Sequence, residues 1–543
     1  MSERRKITYI SDFFTEDGVG GGEKNDFELL CLLAQSGYDV DRIRSVHVTE
    51  EFISSRKNHF FIVSNFTLLH PYYRDLIADL EYLIYEHDHK YVKTRNPADY
   101  DNYNVKKHDI INYHFYKNAQ AVLCQSEMHK SIVEQNLNLD NIVNVSGNLW
   151  SLETLEKIRE LSNLEKQKSC AILDSEHIHK NTRGTIKFCE MKNIDYNLIK
   201  DPDYYSFLSS LSKNKKFIFL PETPETLSRV VVEARMLGCS VLANNMIGAA
   251  GEDWFHKKGG ELIDYMIDKR QEICNLVIDI ISSSKNDSDT PIVSILTTFY
   301  EAEEYLPGFL ENITNQSVFD SCELIIIDSA SPGNERQIVE SYCDKHKNIQ
   351  YYRFEEKFSP TVGFNIALMK SSGKYYNWAM VDDRKSLTSI EDLLNELGLY
   401  KNIDLVYGDC LVTNIKNDNL ETTSSKVVSE HSSFSFSKEN MIKCLPGPMP
   451  LWSRRMMDTV GLFNQDDHDY SDDWEMWLRC VDIGFNFKKL DKIVGLYYDG
   501  GRSMQINNIK QKKEEAELFF RYKHIFGDNY NKFYDYFKNL RQS

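Results

Sequence analysis

The chain has 543 residues, of which 41% are hydrophobic and 27% are charged, with only 12 prolines and 25 glycines. This composition is typical of a globular protein with three or four domains and excludes a collagen-like or wholly disordered chain. The formal net charge of −18 argues against a nucleic-acid-binding protein, because phosphate binding needs a basic field.

The cysteines and the N-terminus indicate the compartment. The 11 cysteines are scattered and form no C-x-x-C pair, which favours reduced thiols over a disulfide framework or a zinc site. The first residues show no signal peptide, and no apolar run of about 18 residues is present to span a bilayer. We therefore expect a cytoplasmic protein, with at most a peripheral contact at the inner face of a membrane.

Residues 1–150 read as the first half of an α/β domain. A strand predicted at residues 6–10 leads into a glycine-rich loop with Gly21 and Gly22, and a helical pattern follows. This arrangement lets backbone N–H groups approach a phosphate or a sugar, although a glycine-rich turn can also be only a turn. Later strand-like runs alternate with helical patterns and predict a parallel sheet: 60–64, 83–89 and 121–126.

A second βα series occupies residues 151–281. It ends in PETPETLSRVVVEARMLGCSVLANN, where Glu225 and Glu233 lie eight residues apart. If residues 227–237 form a helix, Glu225 lies at its N-terminal entry, where anions are favoured, and Glu233 lies two turns further on.

These two stretches resemble glycosyltransferase family 4. GGGEKNDFELLCLLAQSGYDV is similar to the opening of that family, and PETPETLSRVVVEARMLGCSVLANNMIG is similar to its E-x7-E donor-binding segment. The resemblance implies a GT-B fold, two Rossmann-like halves with a nucleotide sugar between them, and retaining transfer without an obligatory metal. By position, Glu233 would hold the ribose, Glu225 would face the donor sugar, and Lys180 in HIHKNTRG would neutralise the departing diphosphate.

The polar stretch 282–291, SSSKNDSDTP, reads as a linker, and a new α/β domain follows it. A strand predicted at 292–297, an amphipathic helix and a second strand that ends at Asp328 form one βαβ unit. The apolar run 375–381 opens onto Asp382 and Asp383, so all three carboxylates belong at the carboxyl edge of one sheet. Adjacent carboxylates repel unless a cation lies beside them, and Mg²⁺ or Mn²⁺ carrying a diphosphate meets that need.

Residues 292–505 resemble the inverting glycosyltransferase family 2, which has the GT-A fold. VSILTTFYEAEEYL, IIIDSAS, GFNIALMKSSGKYYNWAMVDD and LFNQDD…SDDWEMWLR occur in the family's order and spacing. The resemblance implies that Asp328 contacts the nucleotide base, that Asp382 is the metal-binding carboxylate and that Asp473 is the general base. It assigns donor binding to a further group of residues: Thr297, Phe299, Glu301, Asp328 and Asp383. The sequence departs from the family at Met380, which stands where the first Asp of D-x-D is usual.

The tail, residues 506–543, is charged, aromatic and helical in pattern. One apolar stripe is expected along it, formed by Leu518, Phe519, Tyr522, Ile525 and Phe526. Such a helix could lie on a membrane surface, but the acidic residues interspersed in it favour a helix packed on the domain before it.

The chain is therefore read as a two-module glycosyltransferase that moves sugars from nucleotide-sugar donors to a glycan or lipid-linked saccharide acceptor. The C-terminal module would use a divalent cation. One alternative makes residues 1–281 a non-catalytic glycan-binding or scaffolding module beside one active domain. A second alternative, a glycan-binding protein in which neither half turns over, also stays open. The donor sugar, the acceptor, the linkage and the oligomeric state are not readable from the sequence.

Overall fold

A computed structural model of the protein describes residues 5–17, 20–283, 290–431, 433–468, 470–500 and 508–542. The chain divides into two compact units: Met1–Val105 with Phe115–Asn286, and Lys106–His114 with Asp287–Ser543. The expected linker 282–291 lies mostly outside the described residues. The finer division into segments 1–150, 151–281, 292–505 and 506–543 stays a prediction.

The first unit contains two parallel sheets. The six-stranded sheet has the order β2-β1-β3-β4-β5-β6 and is built from β1 (Ile7–Ser11), β2 (Val40–Arg44), β3 (Phe60–Val63), β4 (Tyr82–Tyr85), β5 (Val122–Cys124) and β6 (Ile142–Asn144). The four-stranded sheet has the order β10-β9-β7-β8 and is built from β7 (Gln167–Leu173), β8 (Tyr196–Ile199), β9 (Asn214–Phe219) and β10 (Ser240–Ala243). All neighbouring strands run parallel, as βα alternation requires.

Helices connect these strands. They are α1 (Gly21–Gln35), α2 (Glu50–Ser54), α3 (Pro71–Ala78), α4 (Tyr113–Asn118), α5 (Glu127–Leu137), α6 (Leu152–Ser162), α7 (Thr182–Met191), α8 (Tyr204–Ser212), α9 (Arg229–Met236) and α10 (Gly260–Ser282). The long helix α10 contributes Leu262 and Met266 to the core of the four-stranded sheet. Its later residues Ile273 and Val277 lie in the core of the six-stranded sheet. One helix therefore ties the two sheets of this unit together.

The second unit has one eight-stranded mixed sheet with the order β13-β12-β11-β14-β17-β16-β18-β15. Its strands are β11 (Val293–Phe299), β12 (Cys322–Ser329), β13 (Ile349–Phe354), β14 (Tyr375–Trp378), β15 (Arg384–Lys385), β16 (Leu405–Thr413), β17 (Leu451–Ser453) and β18 (Phe487–Tyr498). The first four strands in space are parallel, whereas β17 runs antiparallel to both of its neighbours. Its helices are α11 (Leu306–Thr314), α12 (Glu335–Cys343), α13 (Pro360–Lys370), α14 (Ser389–Gly398), α15 (Arg454–Val460), α16 (Asp472–Asp482), α17 (Asn508–Arg521) and α18 (Gly527–Gln542).

The tail forms the two helices α17 and α18, and its predicted apolar stripe is buried. All five stripe residues belong to the same hydrophobic core as Trp474 and Trp477 of α16. The expected packing of the tail against the C-terminal domain is therefore confirmed, and the stripe forms no exposed apolar face. In the described part of the chain, no helix is both long and apolar enough to cross a membrane.

The segment 106–114 belongs to the second unit although it lies far upstream of the remainder of that unit in sequence. His114 is 1% exposed. Its backbone N–H donates to Asp458 Oδ1 over 2.9 Å, and its ring Nδ1 lies 3.1 Å from the same oxygen. On the other side of the ring, Nε2 lies 2.8 Å from the hydroxyl of Tyr376 and 3.1 Å from the carbonyl of Leu368. This buried histidine connects β14 with α13 and α15.

Candidate active site

The sheet of the second unit brings the ends of three parallel strands to one edge. Asp328 at the end of β12 is paired in register with Phe299 at the end of β11. On the other side of β11, Trp378 at the end of β14 is paired with Leu296. The carboxyl edge of these strands is where an open α/β sheet binds ligands.

Asp328 is fully buried and its carboxylate is occupied by internal donors. Oδ2 accepts hydrogen bonds from the hydroxyl of Tyr351 over 2.6 Å and from Arg353 over 2.9 Å. Oδ1 accepts the backbone N–H of Ser331 over 2.9 Å. Asp328 thereby fixes the loop after β12, and its expected contact with a nucleotide base stays a prediction.

The other predicted donor-binding residues on this edge differ in exposure. Thr297 is fully buried, and no described group is hydrogen-bonded to its hydroxyl. Phe299 is 6% exposed and packs in the core. Glu301 is exposed, has a left-handed backbone with φ 53°, and donates its N–H to Ser331 Oγ over 3.1 Å. Only Glu301 presents its side chain to solvent.

Asp382 and Asp383 lie in the turn between β14 and β15. Asp383 is 4% exposed, and its Oδ1 accepts the backbone N–H of Tyr498 at the end of β18 over 2.9 Å. Its Oδ2 is buried without a hydrogen-bond partner among the described groups. Burial, and then the charge of Asp382, raise the pKa of Asp383 well above its ordinary value. Burial also raises the pKa of Asp382, which is half-buried.

These two carboxylates fit a divalent cation that shares its ligands with a diphosphate. Asp383 Oδ2 has no hydrogen-bond partner among the described groups, and burial raises the pKa of both carboxyls, so a bound cation would stabilise their ionised forms. Among the described residues, no group of three or more His, Cys, Asp or Glu side chains is arranged to hold a metal ion. The remaining ligands would therefore come from substrate phosphates and water, as is usual for Mg²⁺.

Asp473 lies in the first turn of α16, next to Asp472. Its Oδ1 accepts the N–H of Trp474 over 2.7 Å, and its Oδ2 accepts the thiol of Cys444 over 3.4 Å. Burial raises the pKa of Asp473. Asp472 accepts the hydroxyl of Thr361 over 2.7 Å, and burial followed by the charge of Asp473 raises its pKa to about 7.

Tyr497, near the end of β18, precedes Tyr498, whose N–H is bound to Asp383 Oδ1. Burial raises the pKa of the Tyr497 phenol above the ordinary value, and the charges of Asp383, Asp499, Asp382 and Asp473 raise it further. The negative charges of the turn and of α16 therefore both act on this hydroxyl. Sequence reasoning identified the carboxylates but missed Tyr497 and Asp472, because no local pattern marks either residue.

In the first unit, the predicted glycine loop lies beside a buried histidine and aspartate. Helix α1 begins at Gly21, and a Cβ atom on Gly22 would lie 3.5 Å from the His87 ring. Gln125 Nε2 lies 2.6 Å from His87 Nδ1 and donates to it, which leaves the proton of a neutral ring on Nε2, 2.6 Å from Asp26 Oδ1. Burial pushes the pKa of Asp26 up, but its interactions with His87 and its hydrogen bonds with Ser64 and Tyr9 together outweigh this and hold that pKa below the ordinary value.

Lys180 and Glu225, two of the predicted donor contacts, are brought together. Lys180 Nζ donates to Glu225 Oε1 over 2.7 Å and to Oε2 over 2.9 Å. The backbone of Glu225 is fixed by a bridge to Ile247, with its N–H bonded to the carbonyl of Met246 over 2.8 Å. Helix α9 begins at Arg229 rather than at residue 227, so Glu225 lies four residues before it.

Glu233 lies apart from that pair in an enclosed network. It is 3% exposed, and its Oε1 accepts the indole N–H of Trp150 over 3.0 Å and the hydroxyl of Tyr204 over 2.6 Å. Lys24 lies over the Tyr204 ring, 2.9 Å from its centroid, and burial lowers the pKa of Lys24 to about 8. Trp150, Tyr204 and Asp26 were not singled out from the sequence, because the residues they bind lie in distant segments of the chain.

Comparisons with known proteins match parts of this chain to glycosyltransferases. Residues 294–459 match the family model described as Glycosyl transferase family 2. An uncharacterized glycosyltransferase of Methanocaldococcus jannaschii is 23% identical over 234 residues, which are 42% of this chain and 77% of that protein. The minor teichoic acid biosynthesis protein GgaB of Bacillus subtilis is 30% identical over 115 residues, but this covers only 21% of this chain and 13% of GgaB.

The solved structure of S. aureus TarS 1–349 matches with a TM-score of 0.35 and 15% identity, covering 45% of this chain and 72% of that chain. The predicted α/β fold with a mixed C-terminal sheet and a helical tail is confirmed, whereas the family 4 resemblance of residues 1–281 stays a prediction. The protein is therefore a glycosyltransferase that carries a glycosyl transferase family 2 domain in its C-terminal region.

Proposed function

We propose that the second unit transfers a sugar from a nucleoside diphosphate donor to a hydroxyl of a glycan or lipid-linked saccharide, with inversion at the anomeric carbon. The observation that carries the proposal is the acidic turn after β14, where Asp382 adjoins the buried Asp383 and Asp383 Oδ2 has no hydrogen-bond partner among the described groups. Two carboxylates are available for a cation and its diphosphate, and a third, Asp473 of α16, is available for a proton. The names of relatives such as GgaB, a teichoic acid biosynthesis protein, support a polymeric glycan acceptor.

The residues of the chain divide the chemistry as follows. Asp473 accepts the proton of the acceptor hydroxyl while the acceptor oxygen forms its bond to the anomeric carbon. The bond between that carbon and the diphosphate breaks on the opposite face, and its electron pair leaves with the diphosphate. Asp382 would hold a divalent cation, which when bound supplies positive charge for the diphosphate oxygens. Asp383, fixed by Tyr498, orients this turn.

The test is donor turnover and product configuration in matched variants. A panel of UDP-, GDP- and dTDP-sugars is screened by released nucleoside diphosphate, with saccharide acceptors. Asp473→Asn should lower kcat by about 10²–10⁴ and leave the melting temperature nearly unchanged. Asp535→Asn, an exposed aspartate of α18, serves as the control.

Two results would contradict the proposal. One is a kcat of the Asp473→Asn variant within threefold of the wild-type value. The other is a product whose anomeric proton coupling shows the configuration of the donor. For the cation, Asp382→Asn should raise the Mn²⁺ concentration needed for half-maximal turnover, and full activity in excess chelator would refute that assignment.

For the first unit, we propose binding of a nucleotide sugar, with retaining transfer as the activity if it turns over. The Lys180 and Glu225 side chains supply a cation and a carboxylate at the predicted donor position. The same contact favours a second candidate, a non-catalytic glycan-binding module, because each of the two groups already satisfies the other. Hydrolysis of a donor that survives Asp473→Asn but is lost in Glu225→Ala supports catalysis. Saccharide binding without any such hydrolysis supports the module.

A further inference from the structure

The helix that carries Asp473 is not capped by the side chain of the residue that precedes it. The residue before α16, Ser471, makes no side-chain hydrogen bond to the first turn. Instead, Glu514 of the tail helix α17 reaches this end, where its Oε2 accepts the N–H of Tyr470 over 3.0 Å and the N–H of Ser471 over 3.1 Å. Backbone N–H groups at a helix N-terminus need such acceptors, and a carboxylate there also favours the helix dipole.

The tail helix is held firmly enough to act as a support. Glu514 is itself 6% exposed. Further along α17, the Phe519 ring stacks on Phe537 of α18 with centroids 4.2 Å apart. The hydroxyl of Tyr522 donates to Glu475 Oε1 of α16 over 3.2 Å. The tail therefore contacts the segment of α16 in two places: Glu514 of α17 binds the two residues before the helix, and Tyr522, directly after α17, binds Glu475 within it.

Glu514 binds backbone groups that lie directly before the proposed general base in sequence. Asp473 follows Ser471 by two residues, and its own hydrogen bonds come from Trp474 of the same helix and from the Cys444 thiol. The first turn of α16 is therefore fixed on one side by its own backbone and on the other by Glu514. Loss of that carboxylate removes the Glu514 acceptor from the buried N–H of Ser471 and the partly buried N–H of Tyr470, directly before Asp472.

We propose that Glu514 is a positioning residue for the transfer reaction, which holds the turn at Tyr470 and Ser471 so that Asp473 meets the acceptor hydroxyl. The inference rests on the proposed role of Asp473. It assigns a function in catalysis to the tail, outside residues 294–459 that match the family model. Glu514 touches no reacting atom and acts only through the backbone it holds.

The experiment compares Glu514→Ala, Glu514→Gln and Glu514→Asp in the full chain, with Glu517→Ala on the exposed face of the same helix as the control. Two quantities are measured: amide hydrogen exchange of residues 470–474, and kcat with the KM of the donor that gives turnover in the panel. Glu514→Ala should speed exchange by roughly 10-fold to 100-fold, the range expected for hydrogen bonds to a charged group. It should lower kcat at least tenfold with the donor KM within threefold.

The conservative variants separate positioning from folding. Glu514→Gln keeps the length and one acceptor oxygen, so it should recover most of the kcat. Glu514→Asp draws the carboxylate back by one methylene and should lower kcat by a factor between those of the other two variants. If Glu514→Ala does not fold, the kcat of Glu514→Asp tests the positioning role instead. On an Asp473→Asn background, Glu514→Ala should cause no further loss of kcat.

Different results overturn different statements. Faster exchange with kcat within twofold of wild type in both Glu514→Ala and Glu514→Asp shows a purely structural contact and overturns the positioning role. An additional tenfold loss on the Asp473→Asn background shows that Glu514 acts through another group and also overturns it. An Asp473→Asn variant with wild-type kcat overturns the general-base assignment, and the role of Glu514 falls with it.

Discussion

Replacing Asp472 by Asn should stabilise the protein at alkaline pH. Asp472 is half-buried beside Asp473, and its Oδ2 accepts the hydroxyl of Thr361. Asn has nearly the same shape and retains a carbonyl oxygen that can accept this hydrogen bond. The substitution therefore removes a titrating charge while leaving the packing in place.

The magnitude follows from the pKa. Burial and the charge of Asp473 raise the pKa of Asp472 from 3.8 to about 7 in the folded protein. The folded state therefore holds a proton that the unfolded state releases near pH 4, and wild-type stability falls as pH rises between those two values. About three pH units correspond to ~4 kcal/mol, and because the two carboxylates titrate as a pair we expect about 2–4 kcal/mol. Asn does not titrate, so the variant avoids this loss.

The assay is urea unfolding followed by tryptophan fluorescence at pH 4 and pH 8. The chain has 6 tryptophans, and the second unit contains four of them: Trp378, Trp452, Trp474 and Trp477. The midpoints of wild type and variant should nearly coincide at pH 4 and separate in favour of the variant at pH 8. Asp535→Asn should show no such separation. An equal gain at both pH values, or none at pH 8, would refute the assignment of a destabilising charge to Asp472.

Two further predictions concern contacts described above. His114→Ala should lower the free energy of unfolding by about 1–3 kcal/mol, because the ring contacts with Asp458, Tyr376 and Leu368 are lost while the backbone N–H bond to Asp458 remains; urea titrations against the exposed-site variant His177→Ala would show this, and a loss below about 0.5 kcal/mol would contradict it. A double-mutant cycle with Lys180→Met and Glu225→Gln should give a coupling free energy of about 0.5–1.5 kcal/mol in the free energy of unfolding. Strictly additive effects of the two substitutions would show that the ion pair does not stabilise the protein.

The features that the sequence predicts well are those with a local signal. An apolar run followed by an acidic residue places Asp328 and Asp382 at strand ends, and both lie at the expected edge of the sheet. The strand before Asp382 is shorter than expected and ends at Trp378 instead of residue 381. A turn closed by the Asp383 N–H on the Met380 carbonyl, 3.2 Å away, replaces its last residues. The antiparallel pairing of β15 with β18 that follows this turn is not visible in a local pattern.

The parts of the candidate site that the sequence does not reveal depend on distant partners. Thr361 and Asp472 are separated by 111 residues, and Ser471 and Glu514 by 43. In the first unit, Asp26 and His87 are 61 residues apart; the position of His87 at the carboxyl end of a predicted strand marks it as a candidate, but no local pattern pairs it with Asp26. Such contacts depend on how whole helices and strands pack, so composition and periodicity do not predict them.

The inclusion of residues 106–114 in the second unit sets an order for the folding of this chain during synthesis. His114 finds Asp458 across 344 residues, and the carbonyl of His108 accepts from Arg479 across 371. Contacts between residues so far apart in sequence form late, because the long chain between the two residues must close before the contact stabilises anything. The segment leaves the ribosome hundreds of residues before its partners, so the second unit can complete its core only when nearly the whole chain has been made. A translation arrest after residue 400 would therefore leave His114, which lies between β4 and β5 in the chain, without Asp458.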